Sequence, residues 1–232
     1  MPAFAGMTNY DTVSQGRGNI FDFLRDPLSR YFIKNCTEFS SMEEIRSFIA
    51  VEVPQLLRAK LEEVQRELKR ADADVRWVRP ESIHLTLKFL GSISEEELEK
   101  LAGVIAPIIS SWAPFEVRLH GIGCFPSSRN PRIVWVGMEQ GSVEASSLQK
   151  DLENQAAEVG FPPETRPFKP HLTLGRIRSS KGKGSLAQAV ENRRDAAIGS
   201  FRVNAVYLFK SELKPSGAIY TKLRTFPMGE EQ

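Results

Sequence analysis

The sequence predicts an α+β fold with mostly antiparallel sheet, and three observations carry that expectation. Strand and helix patterns succeed one another without the regular βαβα alternation of a parallel fold. The Gly-x-Gly-x-x-Gly turn of a dinucleotide-binding fold is absent. The tetrapeptide His-Leu-Thr-Leu occurs twice, at 84–87 and 171–174, and an Arg-Pro pair precedes each copy, Arg79-Pro80 and Arg166-Pro167. Such self-similarity predicts two related halves, each supplying one strand to a shared cleft.

The elements follow in order. Residues 1–41 mix Gly, Asn, Asp and Ser with scattered aromatics and show no sustained period. They are expected to be an N-terminal extension, disordered or loosely packed, ahead of a domain spanning 42–232. The alternative is a short helix near 20–34 that docks on the core. Arg46–Val53 is an apolar strand closed by Pro54. Gln55–Arg70 repeats Leu56, Leu57, Leu61, Val64 and Leu68 at helical spacing. Val75–Val78 and Ser82–Leu90 are strands, the second ended by Gly91. Ser94 with Glu97 forms a capping box that opens a helix to about Ser110. Phe115–Cys124 and Ile133–Glu139 are strands around a loop carrying Arg129 and Arg132. Val143–Val159 is a helix stopped by Gly160, and His171–Ile177 is a strand. The loop Ser179–Ser185 leads to a helix ending near Arg194. Phe201–Lys210 and Ala218–Phe226 are the last strands.

Composition narrows the function. Hydrophobic residues make up 41% and charged residues 26%, as in a soluble globular protein. A net charge of +2 is too small for a nucleic-acid coat, so any affinity for phosphate must be local. The two cysteines, Cys36 and Cys124, do not form a CxxC pair, and a reducing compartment is expected. No apolar run reaches membrane-spanning length and no signal-peptide pattern opens the chain, so a cytoplasmic protein is expected. Nothing points to an obligate oligomer, and a monomer is expected.

The repeat carries the chemistry. Side chains two apart on a strand share a face. His84 and Thr86 therefore face the cleft while Leu85 and Leu87 face the core, and His171, Thr173, Leu172 and Leu174 repeat the arrangement. Opening a phosphodiester needs one proton removed from the attacking oxygen and one given to the leaving oxygen. Two imidazoles, one neutral and one protonated, can do both near neutral pH. Threonine hydroxyls can donate to the non-bridging phosphoryl oxygens. Arg166, Lys169, Arg176, Arg178, Lys181 and Lys183 lie in one interval free of acids, which reads as a local anion site. A zinc site would need further ligands, and neither motif contains a Cys or an acid. His120, outside any repeat, is expected to be structural. Trp77, Trp112 and Trp135 are assigned to the core.

At these residues the sequence resembles the two-histidine (2H) phosphoesterase superfamily. Within it, it is similar to the RNA 2′,3′-cyclic phosphodiesterases, also called 2′-5′ RNA ligases. The resemblance runs from about Phe48 to Phe226. Its segments are Phe48-Ile-Ala-Val, His84-Leu-Thr-Leu-Lys-Phe-Leu-Gly, Gly123-Cys-Phe-Pro, Pro131-Arg-Ile-Val-Trp-Val-Gly, Pro167-Phe-Lys-Pro-His-Leu-Thr-Leu-Gly-Arg, and Leu208-Phe-Lys-Ser-Glu-Leu with Gly217 to Tyr220. It implies a bilobal fold, with two pseudo-symmetric lobes, helices packed outside and a cleft between. It implies hydrolysis of an RNA or nucleoside 2′,3′-cyclic phosphate to the 2′-phosphomonoester, without metal or cofactor. Carried onto this chain, His84 is the proton donor and His171 the proton acceptor, while Thr86 and Thr173 bind phosphate. Arg132 and Arg176 are further candidates for phosphate, and Phe125 and Phe168 for stacking a base. Reversible 2′-5′ ligation of RNA ends, and RNA-end binding without turnover, are the alternatives.

Overall fold

The computed structural model describes residues 44–214 and 217–229, which fall within one compact unit, Glu43–Gln232. The expected extension at 1–41 lies outside the described residues. In chain order the elements are β1 (Ile45–Glu52), α1 (Gln55–Lys69), β2 (Val75–Trp77), a 3-10 turn (Pro80–Ser82), β3 (His84–Ile93), α2 (Glu95–Ser111), β4 (Phe115–Phe125), β5 (Ile133–Gln140), α3 (Ser142–Glu158), β6 (Leu172–Ile177), α4 (Lys183–Glu191), β7 (Ala197–Val203), β8 (Ala205–Lys214) and β9 (Gly217–Pro227). They form two antiparallel sheets, ordered β3-β1-β8-β9 and β2-β6-β5-β4-β7.

The helices bury one stripe each, as their spacing dictates. In α1 the buried set is Leu57, Leu61, Val64 and Leu68. Leu56 falls one step of about 100° off that stripe and stays 75% exposed. The capping box of α2 is present, with Ser94 Oγ accepting from the Glu97 backbone at 3.2 Å and the Glu97 carboxylate accepting from the Ser94 backbone at 2.7 Å. Leu98, Leu101, Ile105 and Ile109 of α2 join Ala145, Leu148, Leu152 and Ala156 of α3 in the main core. Gln65, buried on α1, donates to the carbonyls of Val78 and Leu174 at 2.7 and 2.9 Å, tying the helix to the β2–β6 edge.

Several strand boundaries differ from expectation, among them β7, which starts at Ala197 rather than Phe201. The predicted strand Phe201–Lys210 is two strands, broken at exposed Asn204. The buried positions run Phe201, Val203, then Ala205 and Val206 together, so the alternation resets where the chain leaves one sheet for the other. Gly91 does not end β3. It adopts a left-handed φ of 78°, which glycine tolerates, and the strand continues to Ile93.

The halves also exchange strands. β8 and β9, from the end of the chain, complete the sheet that holds β1 and β3. β2, from the first half, forms the edge of the other sheet beside β6.

Candidate active site

β3 opens on His84 and β6 on Leu172, one residue after His171, and both strands are bulged at the last leucine of the tetrapeptide. Across from β3, Ala50 pairs with Thr86 and Phe48 with Phe89, so Leu87 is the extra residue in between. Across from β6, Trp135 pairs with Thr173 and Ile133 with Arg176, and Leu174 is accommodated by a shift at Val134/Trp135. A bulge of this kind breaks the two-residue period. Leu85, Leu87 and Lys88 are therefore all buried on β3, as are Leu172, Leu174 and Gly175 on β6. His84, Thr86 and Phe89 share one face of the first strand, and Thr173 and Arg176 one face of the second. Glycine is required at 175, where an added Cβ would lie 2.6 Å from Val75 and 3.0 Å from the Trp77 ring.

The two histidines are held alike. His84 Nδ1 lies 2.8 Å from the Ser82 carbonyl, and His171 Nδ1 lies 2.6 Å from the Lys169 carbonyl. A carbonyl only accepts, so in each ring Nδ1 carries the hydrogen and Nε2 is the nitrogen left for chemistry. The His84 ring stacks on Phe48 at 4.6 Å, and Tyr220 meets it edge-on at 5.2 Å. Burial among these rings pushes the His84 pKa down to about 4, against the opposing pull of the Ser82 carbonyl. His171 meets Phe125 edge-on at 5.0 Å. Its pKa is lowered by burial, opposed by the Lys169 carbonyl, with a further lowering from the Arg176 charge. Thr86 and Thr173 are partly buried, and among the described residues no protein group engages either hydroxyl.

The charge around these strands is local. Arg176 stands directly across from Arg76, and neither has a carboxylate partner among the described residues. Burial raises the Tyr220 pKa, while the charges of Arg176, Arg46 and Arg76 act on it in the opposite sense. The predicted basic interval is only partly available to a ligand. Asp74 takes Arg178 at 2.7 Å and Asp72 takes Lys181 at 3.0 Å. Those acids come from the segment between α1 and β2, about a hundred residues upstream in the chain, where no local reading of 166–183 could find them. Beside His84 a pocket of about 170 Å³ is lined by Glu52, Arg58, Glu81, Phe209, Tyr220 and Lys222. Burial works against ionisation of Glu52, but Lys222 and Arg58 outweigh it and hold the carboxyl below its ordinary range.

The remaining candidates divide. Phe125 lies against His171 and Trp135, with Lys169 Nζ 5.8 Å from its ring centroid. Phe168 packs against the main core. The Arg132 side chain is exposed, and its backbone is fixed between the Phe125 carbonyl and the Ile177 amide at 2.8 and 2.9 Å. His120 sits within β4, opposite Gly137. Trp77 and Trp112 flank the core as expected. Trp135 instead joins Phe125, its ring 5.1 Å away and lying where a side chain on Gly123 would have to sit. Phe48 and Tyr220, beside His84, and Arg76, beside Arg176, are neighbours that the sequence reading left unassigned. Two of them, Phe48 and Tyr220, stand inside the segments that carry the resemblance. For Arg76 the sequence holds no signal, because only the β2–β6 pairing brings it beside Arg176.

Among the described residues no three His, Cys, Asp or Glu side chains are grouped as metal ligands, and no helix is long and apolar enough to cross a membrane.

The family model for LigT-like phosphoesterase matches the chain twice in tandem, over residues 51–135 and 136–220. An RNA 2′,3′-cyclic phosphodiesterase of Methanothermobacter thermautotrophicus is 38% identical over 183 residues, which is 79% of this chain and 98% of that protein. One of Thermus thermophilus is 35% identical over 192 residues, 81% of this chain and 92% of that protein. Among solved structures, Thermus thermophilus TT0787 superposes with a TM-score of 0.68 at 32% identity, covering 81% of this chain and all (100%) of that one. E. coli LigT complexed with 3′-AMP gives 0.68 at 28% identity, covering 80% and 99%.

Proposed function

This chain belongs to the LigT-like phosphoesterases, and from that premise we propose that it hydrolyses the 2′,3′-cyclic phosphate of an RNA end or a nucleoside to the 2′-phosphomonoester. The observation that carries the reading is the matched pair of imidazoles, each with Nδ1 engaged by the carbonyl two residues upstream and Nε2 left over. Relatives named RNA 2′,3′-cyclic phosphodiesterase support the substrate class.

The roles are these. His171 Nε2 takes a proton from water as the water oxygen attacks phosphorus. The bond from phosphorus to the 3′ oxygen breaks, and His84 Nε2–H gives its proton to that oxygen. One water is consumed, a 3′-hydroxyl and a 2′-phosphate are left, and exchange with solvent resets both rings. Thr86 and Thr173 donate to the non-bridging oxygens, and Arg176 with Arg132 holds the charge. Phe125, edge-on to His171, is the base-stacking candidate that the contacts favour.

Burial leaves the His84 ring of the free protein mostly neutral near pH 7, so the donor role requires that substrate restore its proton. The cyclic phosphate brings one negative charge, which favours the protonated ring, so substrate binding takes up a proton. The profile of kcat/KM, which reports the free protein, should then peak on the acid side of 6.5, because both ring pKa values are lowered.

The test is incubation of the purified protein, with EDTA, with adenosine 2′,3′-cyclic phosphate and with RNA ending in the same group. The expected product is the 2′-phosphate alone, with turnover reduced roughly 10²–10⁴-fold in His84→Ala and in His171→Ala. A 3′-phosphate product, or full turnover in either variant, would refute the assignment.

A further inference from the structure

The bulge at Leu87 has a consequence outside the reacting centre. It turns Phe89 onto the face that carries His84 and Thr86, because Phe89 pairs with Phe48 and Thr86 with Ala50. Phe89 remains 63% exposed there. Leu85, Leu87 and Lys88 beside it are buried, and Phe89 is the one aromatic among the exposed large apolar side chains of the described residues. Its distance from the chemistry is bounded. The Phe48 ring lies 4.6 Å from His84 and 6.2 Å from Phe89, so the Phe89 ring is within about 11 Å of the catalytic imidazole. Phe48 and Arg46, two apart on β1, share a face. Arg46 lies two before Phe48, the partner of Phe89, and is thus its diagonal neighbour across a second register shift at Leu90, close enough for long side chains to act together. Arg46 is exposed and has no carboxylate partner among the described residues. Arg76, paired with Arg176 on the neighbouring strand, adds a second guanidinium without a carboxylate partner among the described residues and within electrostatic reach of Tyr220, as Arg46 is.

We infer that Phe89 and Arg46 form a second nucleotide subsite, which stacks the base and pairs the phosphate of the residue preceding the cyclic end. The inference rests on the phosphodiesterase reading above and narrows its substrate to oligoribonucleotides over mononucleotides. Every base presents a π-face, so a phenyl platform beside a guanidinium binds a strand with little regard to sequence. The bulge in β6 delivers Arg176 to the cleft by the same device, so the two halves of the chain contribute an aromatic and a cation from matching positions.

The experiment compares kcat/KM for adenosine 2′,3′-cyclic phosphate with that for the dinucleotide ApA ending in the same cyclic phosphate. The parent should prefer the dinucleotide by about tenfold or more. The ratio should fall toward one in Phe89→Ala and in Phe89→Leu, which keeps the apolar bulk without the ring, and should be largely retained in Phe89→Tyr. Arg46→Gln should reduce the ratio and weaken its dependence on salt. Equal values for the two substrates in the parent, or an undiminished ratio in both Phe89→Ala and Phe89→Leu, would overturn the subsite and leave the phosphodiesterase reading intact. Absence of turnover on either substrate would instead remove the reading on which the subsite rests.

Discussion

At the scale of single residues the account turns on what each side chain is free to do. The threonines have no protein partner for their hydroxyls among the described residues, so their replacement should cost chemistry rather than stability. Thr86→Val and Thr173→Val should each lower kcat by roughly 10², with melting temperature little changed, as steady-state kinetics and thermal denaturation will show. His84 leaves a signature in stability as well. Its folded pKa of about 4 lies below the ordinary 6.5, so the unfolded chain binds the extra proton first. The neutral ring stabilises the fold fully above 6.5, and that contribution is lost progressively as pH falls toward 4. Urea midpoints at pH 7 and pH 5 should differ less in His84→Ala than in the parent. The histidines and threonines were legible in the sequence because the motif is duplicated. The ring stack of Phe48 and Tyr220 on His84 was not, since those residues come from β1 and β9 and meet only through sheet pairing.

At the scale of elements the buried polar cluster under β3 decides the most. Lys88 is buried and donates to Glu153 at 2.5 Å and to the Pro162 carbonyl at 3.0 Å. Glu153 also accepts from Gln149 at 3.0 Å and from the Glu164 backbone at 3.2 Å. One network thus joins the His84 strand, α3 and the start of the segment leading to His171. Removing one partner leaves a buried charge uncompensated, so Lys88→Met should cost about 3–5 kcal/mol. The double variant Lys88→Met with Glu153→Met should recover most of that loss, as urea unfolding of the set will report. The first three helices were readable to within about a residue from apolar spacing and the Ser94 capping box, whereas α4 starts at Lys183, inside the expected loop Ser179–Ser185, and ends at Glu191, short of Arg194. The bulges were not. The alternation that puts His84 and Thr86 on one face predicts Arg176 on the buried face of β6, and only the pairing of Trp135 and Ile133 shows that Leu174 is the extra residue. The irregularity breaks the period of burial at Lys88 and Gly175, and neither residue carries an apolar signal that would reveal it in the sequence.

At the scale of the whole molecule, the repeat foretold two related halves, and two antiparallel sheets answer to it. It did not foretell that the halves trade strands. The trade was illegible because β7 and β8 are separated by Asn204 alone and read as one apolar run. Its consequence is cooperative. With β2 in one sheet and β8–β9 in the other, neither sheet can form from one half of the sequence. Urea unfolding followed by tryptophan fluorescence and by far-UV circular dichroism should therefore give coincident transitions, and separated midpoints would mean independent lobes. On the proposed function, the molecule joins two half-sites, with His84 at the start of β3 and His171 just before β6. The most direct test is the pH dependence of kcat/KM on adenosine 2′,3′-cyclic phosphate for the parent, His84→Ala and His171→Ala. The parent should give a bell peaking below 6.5, with each variant's residual activity lacking one limb: the alkaline limb without the donor His84, the acid limb without the acceptor His171. A bell that survives intact in either variant would contradict the claim that these two rings are the acid and the base.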